Sequence, residues 1–540
     1  MTSPHVFVAM ADILNLRCDA WLLPTDSSVR IENHWLCASE EDLRTLANKS
    51  VSADFRQGTS LAEVIRPWDE SKPVPVLTAV PSDGRWDASS VAQRLEAFVQ
   101  CCLREIAEPA HRPYRLLALP FFGTDGGGAG QHLGAALRAI LAASEELAAK
   151  YQVDIVLVLR DRAAFSLAQK LRRDEAGSSS WAVLDPKLQE KAHSLGLAAR
   201  SGHVVPFLGA GVSVSAGAPT WKNLLKKLKS GVRLSGHDDK AFDGLPLLDQ
   251  AGILAQLYTD QHGTPRAFGE AVSQAVRLEK YGLAPALLAT LPSTGAITLN
   301  YDQLFEMACS DAQRPRTVLP EDIPAVGNNW LLKLHGSVSQ PESIVLTRDD
   351  YLGYNTNREA LSALVKAHLL THHLLFVGFG LADDHFHEIV HDVRRALPAH
   401  PTSNHRMGTV LSLFNEPMQS LVWNGKLDIL PMSDSQFPSG DEDSKQTAAA
   451  EAGRELEIFL DMMAAYATDS HSYLLSPLYY QGMTDDEDEL RRQLLALASL
   501  ERSAATSEVW GVIDAAMRQL GMTIESQQTE LSSSAPASSR

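Results

Sequence analysis

The sequence predicts an α/β protein built from parallel strands, with a helical region toward the C-terminal end. Short apolar runs alternate with amphipathic stretches from Val6 to about Pro431, which is typical of α/β layering. Several of these runs lead directly into glycines or polar residues, as strands do at the ligand-binding edge of a parallel sheet. Beyond residue 447, apolar residues recur with the helical period, so helices are expected there.

The composition narrows the class of protein. The chain has 540 residues, 45% of them hydrophobic, which is enough for several buried cores. Its formal net charge of −18 makes it a poor default partner for nucleic acid, so no direct nucleic-acid binding is expected. The five cysteines form no C-x-x-C pair, which argues against a four-cysteine zinc site and suits a reducing compartment. No apolar run reaches the roughly 18–20 residues of a membrane span, so we expect a soluble, cytoplasmic protein without membrane contact.

Two polar breaks divide the chain. They are Asp174–Ser180 (DEAGSSS) and Ser433–Ser444, which is acidic and contains proline and glycine. The predicted organisation is an N-terminal domain at 1–175, a linker or helix at 176–200, a central domain at 201–433, a linker at 434–447, a helical region at 448–522 and a disordered tail at 523–540.

The N-terminal part contains four predicted strands and one long predicted helix. The helix is Ala135–Tyr151, and the strands are Val6–Met10, Ala20–Leu23, Leu116–Leu119 and Val153–Leu159. A glycine-rich loop, Gly123–Gly130, lies between the third strand and the helix. A strand, a glycine loop and a helix suit a diphosphate, because helix N-terminal amides attract negative charge. A flexible loop without a ligand is the alternative.

The central part opens with a predicted strand that runs straight into glycines. Val204–Leu208 is followed by Gly209–Ser213 (GAGVS), and a helix is predicted from about Trp221. This order is typical of a pyrophosphate cradle, in which glycines let the ligand approach the backbone. Taken alone, the motif fits a tight turn in any α/β protein equally well.

Three more predicted strands of the central part end in glycines or polar side chains. They are Ile297–Leu299 before Asn300 and Asp302, Leu332–Leu334 before His335, and Leu374–Val377 before Gly378 and Gly380. Ligands of doubly wound sheets sit outside the carboxyl ends of the strands. We therefore expect all four clusters to line one pocket.

The motifs G-A-G-V-S, T-L-N-Y-D, K-L-H-G and V-G-F-G, in this order, resemble the sirtuin (silent-information-regulator) domain. The similarity is greatest to a divergent bacterial branch of NAD hydrolases in antiphage defence, which includes the Thoeris effector, and covers roughly Gly202–Ser433. The resemblance implies a doubly wound, Rossmann-like domain whose substrate is NAD.

The resemblance also implies a role for each strand-end residue. In NAD, the phosphates would be held by Gly209, Ala210, Gly211 and Ser213, the nicotinamide ribose by Asn300 and Asp302, and the adenosine side by Gly378 and Gly380, with His335 as the catalytic histidine. The chemistry asks that a water or ribose hydroxyl be oriented and that a base accept a proton, which an amide and an imidazole can do. For Asp302, a helix N-cap before Gln303–Cys309 is an equal alternative. The alternative for His335 is a buried structural histidine whose hydrogen bonds are all made. The position of His335 at a strand end, within the ordered set of motifs, favours a catalytic role.

Two departures from the sirtuin pattern bear on the reaction. Sirtuin deacylases have a glutamine before the motif asparagine, where this chain has Leu299, and they carry a four-cysteine zinc module, where Gly244–Pro292 reads as helical. Both departures favour plain NAD hydrolysis, with no zinc. An NAD-dependent protein deacylase and a non-catalytic sensor of ADP-ribose-type nucleotides are the alternatives.

The segment Leu381–Glu388 (LADDHFHE) combines acids and histidines. They lie so close to the start of a predicted helix that they are not expected to converge on a metal. We therefore predict helix capping and solvated surface here, and no metal site.

The N-terminal domain resembles a macro domain, the ADP-ribose-binding fold, over about residues 5–172. The resemblance implies that Asp12 contacts the adenine and that the phosphate loop contains Gly123, Thr124, Gly126, Gly127 and Gly128. Asp26 stands where active family members have an asparagine near the distal ribose, which argues against ADP-ribosyl hydrolysis. We hypothesise a sensor that binds ADP-ribose or a cyclic ADP-ribose-like signal and biases the neighbouring NADase.

The C-terminal region is predicted to form helices at Ala448–Ala467 and Glu487–Leu520. They are expected either to pack on the central domain or to mediate assembly. A homo-oligomer is implied by the resemblance alone.

Overall fold

The computed structural model describes residues 3–36, 43–69, 71–80, 87–109, 112–124, 129–130, 132–176, 180–234, 238–381, 383–397, 406–499 and 508–522. These residues form two sheets surrounded by helices. The strands are β1 Val6–Met10, β2 Ala20–Thr25, β3 Ala62–Val64, β4 Val74–Ala79, β5 Leu116–Pro120, β6 Asp154–Leu159, β7 Val204–Leu208, β8 Gly295–Thr298, β9 Thr317–Leu319, β10 Trp330–Lys333, β11 His373–Val377, β12 Gly408–Phe414 and β13 Asp428–Ser433. The helices are α1 Leu43–Ser50, α2 Ala53–Arg56, α3 Ala88–Glu105, α4 Leu133–Tyr151, α5 Arg162–Leu171, α6 Pro186–Arg200, α7 Trp221–Lys229, α8 Asp238–Asp243, α9 Leu247–His262, α10 Arg266–Val276, α11 Leu283–Ala289, α12 Leu304–Asp311, α13 Arg348–Thr371, α14 Asp384–Ala396, α15 Pro417–Val422, α16 Glu442–Ala467, α17 Asp485–Ser499 and α18 Glu508–Gln519.

The N-terminal sheet has the strand order β1-β6-β5-β2-β4-β3. All neighbouring pairs are parallel except β3, which runs antiparallel to β4 at the edge. The four strands predicted in this part are confirmed to within two residues, because their apolar runs are buried in the sheet. The predicted helix is confirmed as α4, which buries Leu137, Ile140 and Leu141. The macro-like identity of this sheet stays a prediction.

The central sheet has the order β13-β12-β11-β7-β8-β10-β9, and every neighbouring pair is parallel. The chain leaves β7 first toward β8 and later returns to add β11 on the other side. A parallel sheet that grows in both directions from one strand has a topological switch point there. This confirms the predicted doubly wound, Rossmann-like architecture.

Helices α7–α10 form a small unit with its own apolar core beside the central sheet. Leu225, Leu254, Tyr258, Phe268 and Val272 are buried in that core. The prediction that Gly244–Pro292 is helical is confirmed by α9, α10 and α11.

Helix α16 shortens the predicted linker before the C-terminal region and packs on the rest of the chain, which was one of the two alternatives for that region. It begins at Glu442, inside the predicted linker at 434–447, and the side chain of Asp441 caps it. Its residues from Leu456 to Ala465 are buried on every face, which is typical of a helix enclosed by protein. It packs against α6, which occupies the second half of the predicted linker or helix at 176–200, and both helices lie between the two sheets. The two sheets therefore share one apolar core.

A buried ionic cluster ties α16 to the N-terminal sheet. Asp461 on α16 accepts hydrogen bonds from Arg172, from Trp181 and from the backbone of Val8, and its Oδ2 lies 2.9 Å from the His5 ring. Burial acts to raise the pKa of the Asp461 carboxyl. The charge of Arg172 and the hydrogen bonds from Arg172 and His5 outweigh it and lower that pKa. A carboxylate buried this deeply would destabilise the fold if it had no partners. The cluster therefore fixes the position of α16 against the N-terminal sheet.

The last predicted helical stretch is divided. Helices α17 and α18 are separated by residues 500–507, and both these residues and the predicted tail lie outside the described residues. Within the described chain, no helix is long and apolar enough to cross a membrane.

Candidate active site

The four motif clusters of the central domain meet at one edge of its sheet. Gly378 follows β11, Gly209 follows β7, Asn300 follows β8 and His335 follows β10, and these four strands are consecutive in the sheet. Because all are parallel, their carboxyl ends lie along the same edge. The strand order thus brings these clusters to one edge, as predicted.

The glycines after β7 and β11 serve to bring two loops together. The amides of Gly209 and Gly211 donate to the carbonyls of Val377 and Gly378, both at 2.9 Å. A Cβ at Gly209 would lie 2.4 Å from the Gly378 carbonyl oxygen, and one at Gly211 would lie 2.7 Å from the Gly378 Cα. No side chain fits there, so close loop packing explains these glycines in addition to any ligand.

Two further details of the glycine loops differ from expectation. A 3-10 helix, Ala210–Ala216, begins directly in the first loop, ahead of α7 at Trp221. Gly378 has a φ of +64°, which favours glycine, whereas a Cβ at the exposed Gly380 would meet nothing within 4 Å. Gly380 therefore has no steric need to be glycine.

A polar cluster links the loops after β7 and β8. The Asn300 Nδ2 donates to Ser213 Oγ at 3.3 Å, and Ser213 Oγ donates to Asp302 Oδ2 at 3.0 Å. The oxygen of the same amide, Asn300 Oδ1, is buried and has no hydrogen-bond partner among the described residues. The cluster therefore holds one unused acceptor at the edge of the sheet.

Asp302 makes a hydrogen bond at the start of α12, close to the helix-capping alternative considered for it, while its direct role at the ribose stays a prediction. Its Oδ1 accepts from the backbone of Leu304 at 3.1 Å at the start of α12, while its Oδ2 accepts from Ser213. Burial raises the pKa of the Asp302 carboxyl, and the nearby charge of Lys333 opposes this shift only in part. Asp302 thus both accepts a hydrogen bond at the start of α12 and belongs to the polar cluster.

Lys333 anchors the loop after β8 by hydrogen bonds to its backbone, a role that the sequence analysis missed. It is 1% exposed at the end of β10 and donates to the carbonyl of Asp302 at 2.5 Å and to that of Tyr301 at 3.3 Å. Its ion pair with Glu306 is also 2.5 Å long, and burial raises the pKa of that carboxyl. A lysine two residues before a strand-end histidine was the available signal.

His335 is buried beside a carboxylate that the sequence analysis did not assign to the site. Its Nε2 lies 3.5 Å from Asp383 Oδ2, and its ring contacts that of Tyr351 edge to face. Burial lowers the pKa of His335 to about 4, and Asp383 opposes this only in part. The imidazole is therefore neutral at neutral pH and offers a lone pair.

The segment around Asp383 confirms the predicted helix capping, and it also makes contacts with His335 and Tyr351 that the sequence analysis did not foresee. Asp383 does cap α14, accepting from the backbone of Phe386 at 3.0 Å, but it also accepts from the Tyr351 hydroxyl at 3.1 Å. One ligand atom each of His335, Asp383 and His385 lie within 4.8 Å of one another. The segment Leu381–Glu388 by itself does not reveal this cluster, because the third member, His335, lies after β10, about 50 residues earlier in the chain.

The candidate residues of the N-terminal domain also follow strands at the carboxyl edge of their sheet. Asp12 follows β1, where its Oδ1 accepts from the backbone of Leu14 at 3.0 Å and its Oδ2 lies 3.5 Å from Arg160. Asp26 follows β2 and accepts from the backbones of Ser28 and Arg30. Partial burial acts to raise the pKa of Asp26, but these hydrogen bonds outweigh it and lower the pKa.

The glycine-rich loop after β5 is described only in part. Gly123 has a φ of +76°, and Thr124, which follows it, is half-buried. Gly126, Gly127 and Gly128 lie outside the described residues. The assignment of this loop to a phosphate stays a prediction.

Comparison with known proteins identifies the class of the central domain. Residues 294–426 match the family model of the SIR2-like domain. This range runs from just before β8 to just before β13 and includes Asn300, Asp302, His335 and Gly378. This part of the central domain is therefore similar to the SIR2-like domain.

Individual relatives are similar to this chain over about 200 residues each. The Defense-associated sirtuin 2 of Bacillus subtilis is 30% identical over 221 residues, which are 39% of this chain and 21% of that protein. The NAD(+) hydrolase ThsA of Enterococcus faecium is 31% identical over 213 residues, 37% of this chain and 42% of that protein. The protein of the same name from Bacillus cereus (strain MSX-D12) is 27% identical over 197 residues, 35% of this chain and 40% of that protein. The chain thus spans less than half of the length of each of these relatives.

Proposed function

We propose that this chain hydrolyses NAD at its nicotinamide glycosidic bond, releasing nicotinamide and ADP-ribose. The supporting observation is Asn300 Oδ1, which is buried without a partner in the described structure, next to Ser213 and Asp302. An unsatisfied buried acceptor costs about 1–3 kcal/mol. A ribose hydroxyl or the reacting water would remove that cost. The names of the ThsA relatives agree with this substrate.

The reaction needs little covalent help from the protein. When the C1′–N bond breaks, its electron pair leaves with nicotinamide, which becomes neutral, and an oxocarbenium-like ribose remains. In this proposal Asn300 and Asp302 hold the ribose, the oxygen of a water attacks C1′, and His335 accepts the proton from that water. The low basicity of His335 suffices because an oxocarbenium ion is a strong electrophile.

The remaining parts of NAD are assigned by position. Ala210 and Gly211 are exposed at the carboxyl edge, so we place the diphosphate over this stretch of the loop, with Ser213 beneath it. The adenosine side then lies toward the loop after β11, at Gly378 and Gly380. Gly209 acts by shaping the loop, since its amide is bonded to β11.

The test is to give NAD to the purified full chain and to separate the products by chromatography. His335→Ala is expected to lower turnover by about 10²–10⁴-fold, the usual contribution of a general base, and Asn300→Ala to reduce it strongly as well. His391→Ala, on the exposed face of α14, is the matched control and should retain activity. Turnover that survives both site variants would refute the assignment, and turnover that requires an acylated peptide would indicate a deacylase instead.

We further propose that the N-terminal domain is macro-like and regulates the NADase. The supporting observation is Tyr281, a fully buried residue of the central domain. The backbone of Asp12 donates to its hydroxyl at 3.1 Å, and that hydroxyl donates to Asp311 Oδ2 at 2.8 Å. Asp311 ends α12, the helix that begins two residues after Asp302. A ligand that moves the Asp12 loop would therefore act, through Tyr281 and Asp311, on the helix that follows Asp302 in the proposed active site.

Titration with ADP-ribose and with cyclic ADP-ribose tests this regulation. Either nucleotide is expected to change the rate of NAD turnover in the full chain. Tyr281→Phe should keep nucleotide binding and weaken the rate response, because it removes the hydroxyl that links the backbone of Asp12 to Asp311. Absence of binding by both nucleotides, or an unchanged response in Tyr281→Phe, would contradict the proposal.

The relatives' names also support a role in defence, which we propose for this chain, together with a homo-oligomeric state. Phage infection of bacteria that express it should lower cellular NAD and plaque number, and the same cells carrying His335→Ala should show neither effect. Light scattering of the purified chain should give a mass above the 58.8 kDa of one chain.

A further inference from the structure

We propose that His335, Asp383 and His385 form a binding site for a late first-row divalent cation such as Zn²⁺, and that the bound ion blocks NAD turnover. His335 lies two residues after β10, and Asp383 and His385 lie at the start of α14. One ligand atom of each lies within 4.8 Å of the other two. Two imidazoles and one carboxylate are a ligand set that zinc accepts, with a fourth position left for water.

The separation of His335 and Asp383 is close to that of two ligands in a zinc site. Ligand bonds of about 2.0–2.1 Å place the ligands of a tetrahedral zinc ion about 3.4 Å apart. His335 Nε2 and Asp383 Oδ2 are 3.5 Å apart, which is long for a hydrogen bond and suitable for two ligands of one ion. The ligand atom of His385 lies within 4.8 Å of the other two, so the three groups have to move slightly closer together around an ion.

The hydrogen bonding of His385 favours the ring tautomer that a metal ligand needs. Its Nε2 lies 3.0 Å from the carbonyl oxygen of Tyr351, so the proton is on Nε2 and the lone pair is on Nδ1. That Nδ1 is buried and has no hydrogen-bond partner among the described residues. Histidines that bind metals usually donate their other ring N–H to a carbonyl or carboxylate in this way.

The surroundings keep His385 and Asp383 in place. The His385 ring stacks on Tyr351, with centroids 4.6 Å apart and planes 7° apart, and also contacts Tyr354 at 4.0 Å. Asp383 accepts from Phe386 N and from the Tyr351 hydroxyl, which orient its carboxylate. A ligand set that is already oriented loses little conformational freedom when an ion binds.

The effect on catalysis rests on the proposed function, in which His335 accepts a proton from water. A lone pair bound to a cation cannot accept a proton, so an occupied site is an inhibited site. The cation and the nicotinamide end of NAD would also compete for the same side chain.

The first test measures cation binding without reference to activity. The full chain is stripped with a chelator and titrated calorimetrically with Zn²⁺, and Co²⁺ is added in parallel to record its absorption spectrum. His385→Phe keeps a ring between the two tyrosines and removes the lone pair. It should weaken Zn²⁺ binding by more than about 100-fold, since loss of an outer partner alone costs about 10–100-fold. His391→Phe, exposed on the same helix, is the matched control and should bind as wild type does.

The second test measures NAD turnover with and without Zn²⁺. Inhibition is expected in the wild type and in His391→Phe, and it should be reversed by chelator. His385→Phe should keep the basal rate and resist Zn²⁺, and His385→Gln provides a second variant if the phenylalanine disturbs folding. Equal Zn²⁺ affinity in wild type and both His385 variants would overturn the proposal, as would stoichiometric binding without inhibition of an active enzyme. Zn²⁺ binding at this site by a chain that never hydrolyses NAD would instead refute the proposed function and leave the cation site standing.

Discussion

Replacing Lys333 with methionine tests the idea that this lysine supports the proposed active-site loop from below. The substitution keeps the length and apolar stem of the side chain and removes its charge. It would leave the Glu306 carboxylate without its partner and the carbonyls of Tyr301 and Asp302 without a donor. Lys333 is 1% exposed, and Glu306 Oε2 already has no partner in the described structure, so water has little access to compensate.

The expected cost follows from these contacts. Breaking a buried ion pair by removing one partner typically lowers the free energy of unfolding by about 3–5 kcal/mol. We therefore expect at least about 3 kcal/mol of lost stability for Lys333→Met. Neutralising the remaining carboxylate with Glu306→Gln in the same chain should recover part of this loss, because the uncompensated buried charge is then gone.

Urea unfolding followed by tryptophan fluorescence gives the four free energies of this double-mutant cycle, and NAD turnover is measured on the same samples. Lys333→Met should also lower the turnover rate at temperatures where it remains folded, because the loop that carries Asp302 loses two anchoring bonds. A single variant within 1 kcal/mol of the wild type, or a double variant no more stable than Lys333→Met, would refute this account of the buried pair.

Three further predictions test other parts of the structure. Gly211→Ala should lower the melting temperature, because its Cβ would meet the neighbouring loop backbone at 2.7 Å, whereas Gly380→Ala meets nothing within 4 Å; equal melting temperatures would contradict the packing explanation. Asp461→Asn should cost about 3–5 kcal/mol in urea unfolding, because it leaves the buried Arg172 guanidinium uncompensated, and an unchanged midpoint would contradict this. Burial raises the pKa of Glu455 from 4.5 to about 7, so its ionisation removes stability as the pH rises through this range. Glu455→Gln should therefore gain about 1 kcal/mol at pH 8, after allowance for its half-exposed position, and nothing at pH 4, and a gain at both pH values would point to another cause.

The local parts of the fold were predictable because they depend on residues close in sequence. The apolar run Val204–Leu208 became a strand with the same bounds, and the helix expected from Trp221 begins there. The strand-end position of Asn300 and His335 also followed from short motifs, because parallel strands bring their carboxyl ends to one edge.

Other features depended on contacts that no short motif encodes. The explanation of Gly209 and Gly211 lies in the backbone of Gly378, about 170 residues away in the chain. Helix α16 was read as part of a separate region, yet it is enclosed between the two sheets. Its apolar residues predicted a helix but not the partner against which that helix packs.

By itself, the sequence determined the alternation of strands and helices, the sirtuin-like motifs and the edge at which they gather. The tertiary structure decided which distant side chains meet there, above all His335 with Asp383 and His385, and Asp302 with Lys333. The physical reason is that hydrophobic periodicity specifies which face of an element is buried. The order of strands and the placement of loops, which set the distances between polar groups, result from packing the whole chain.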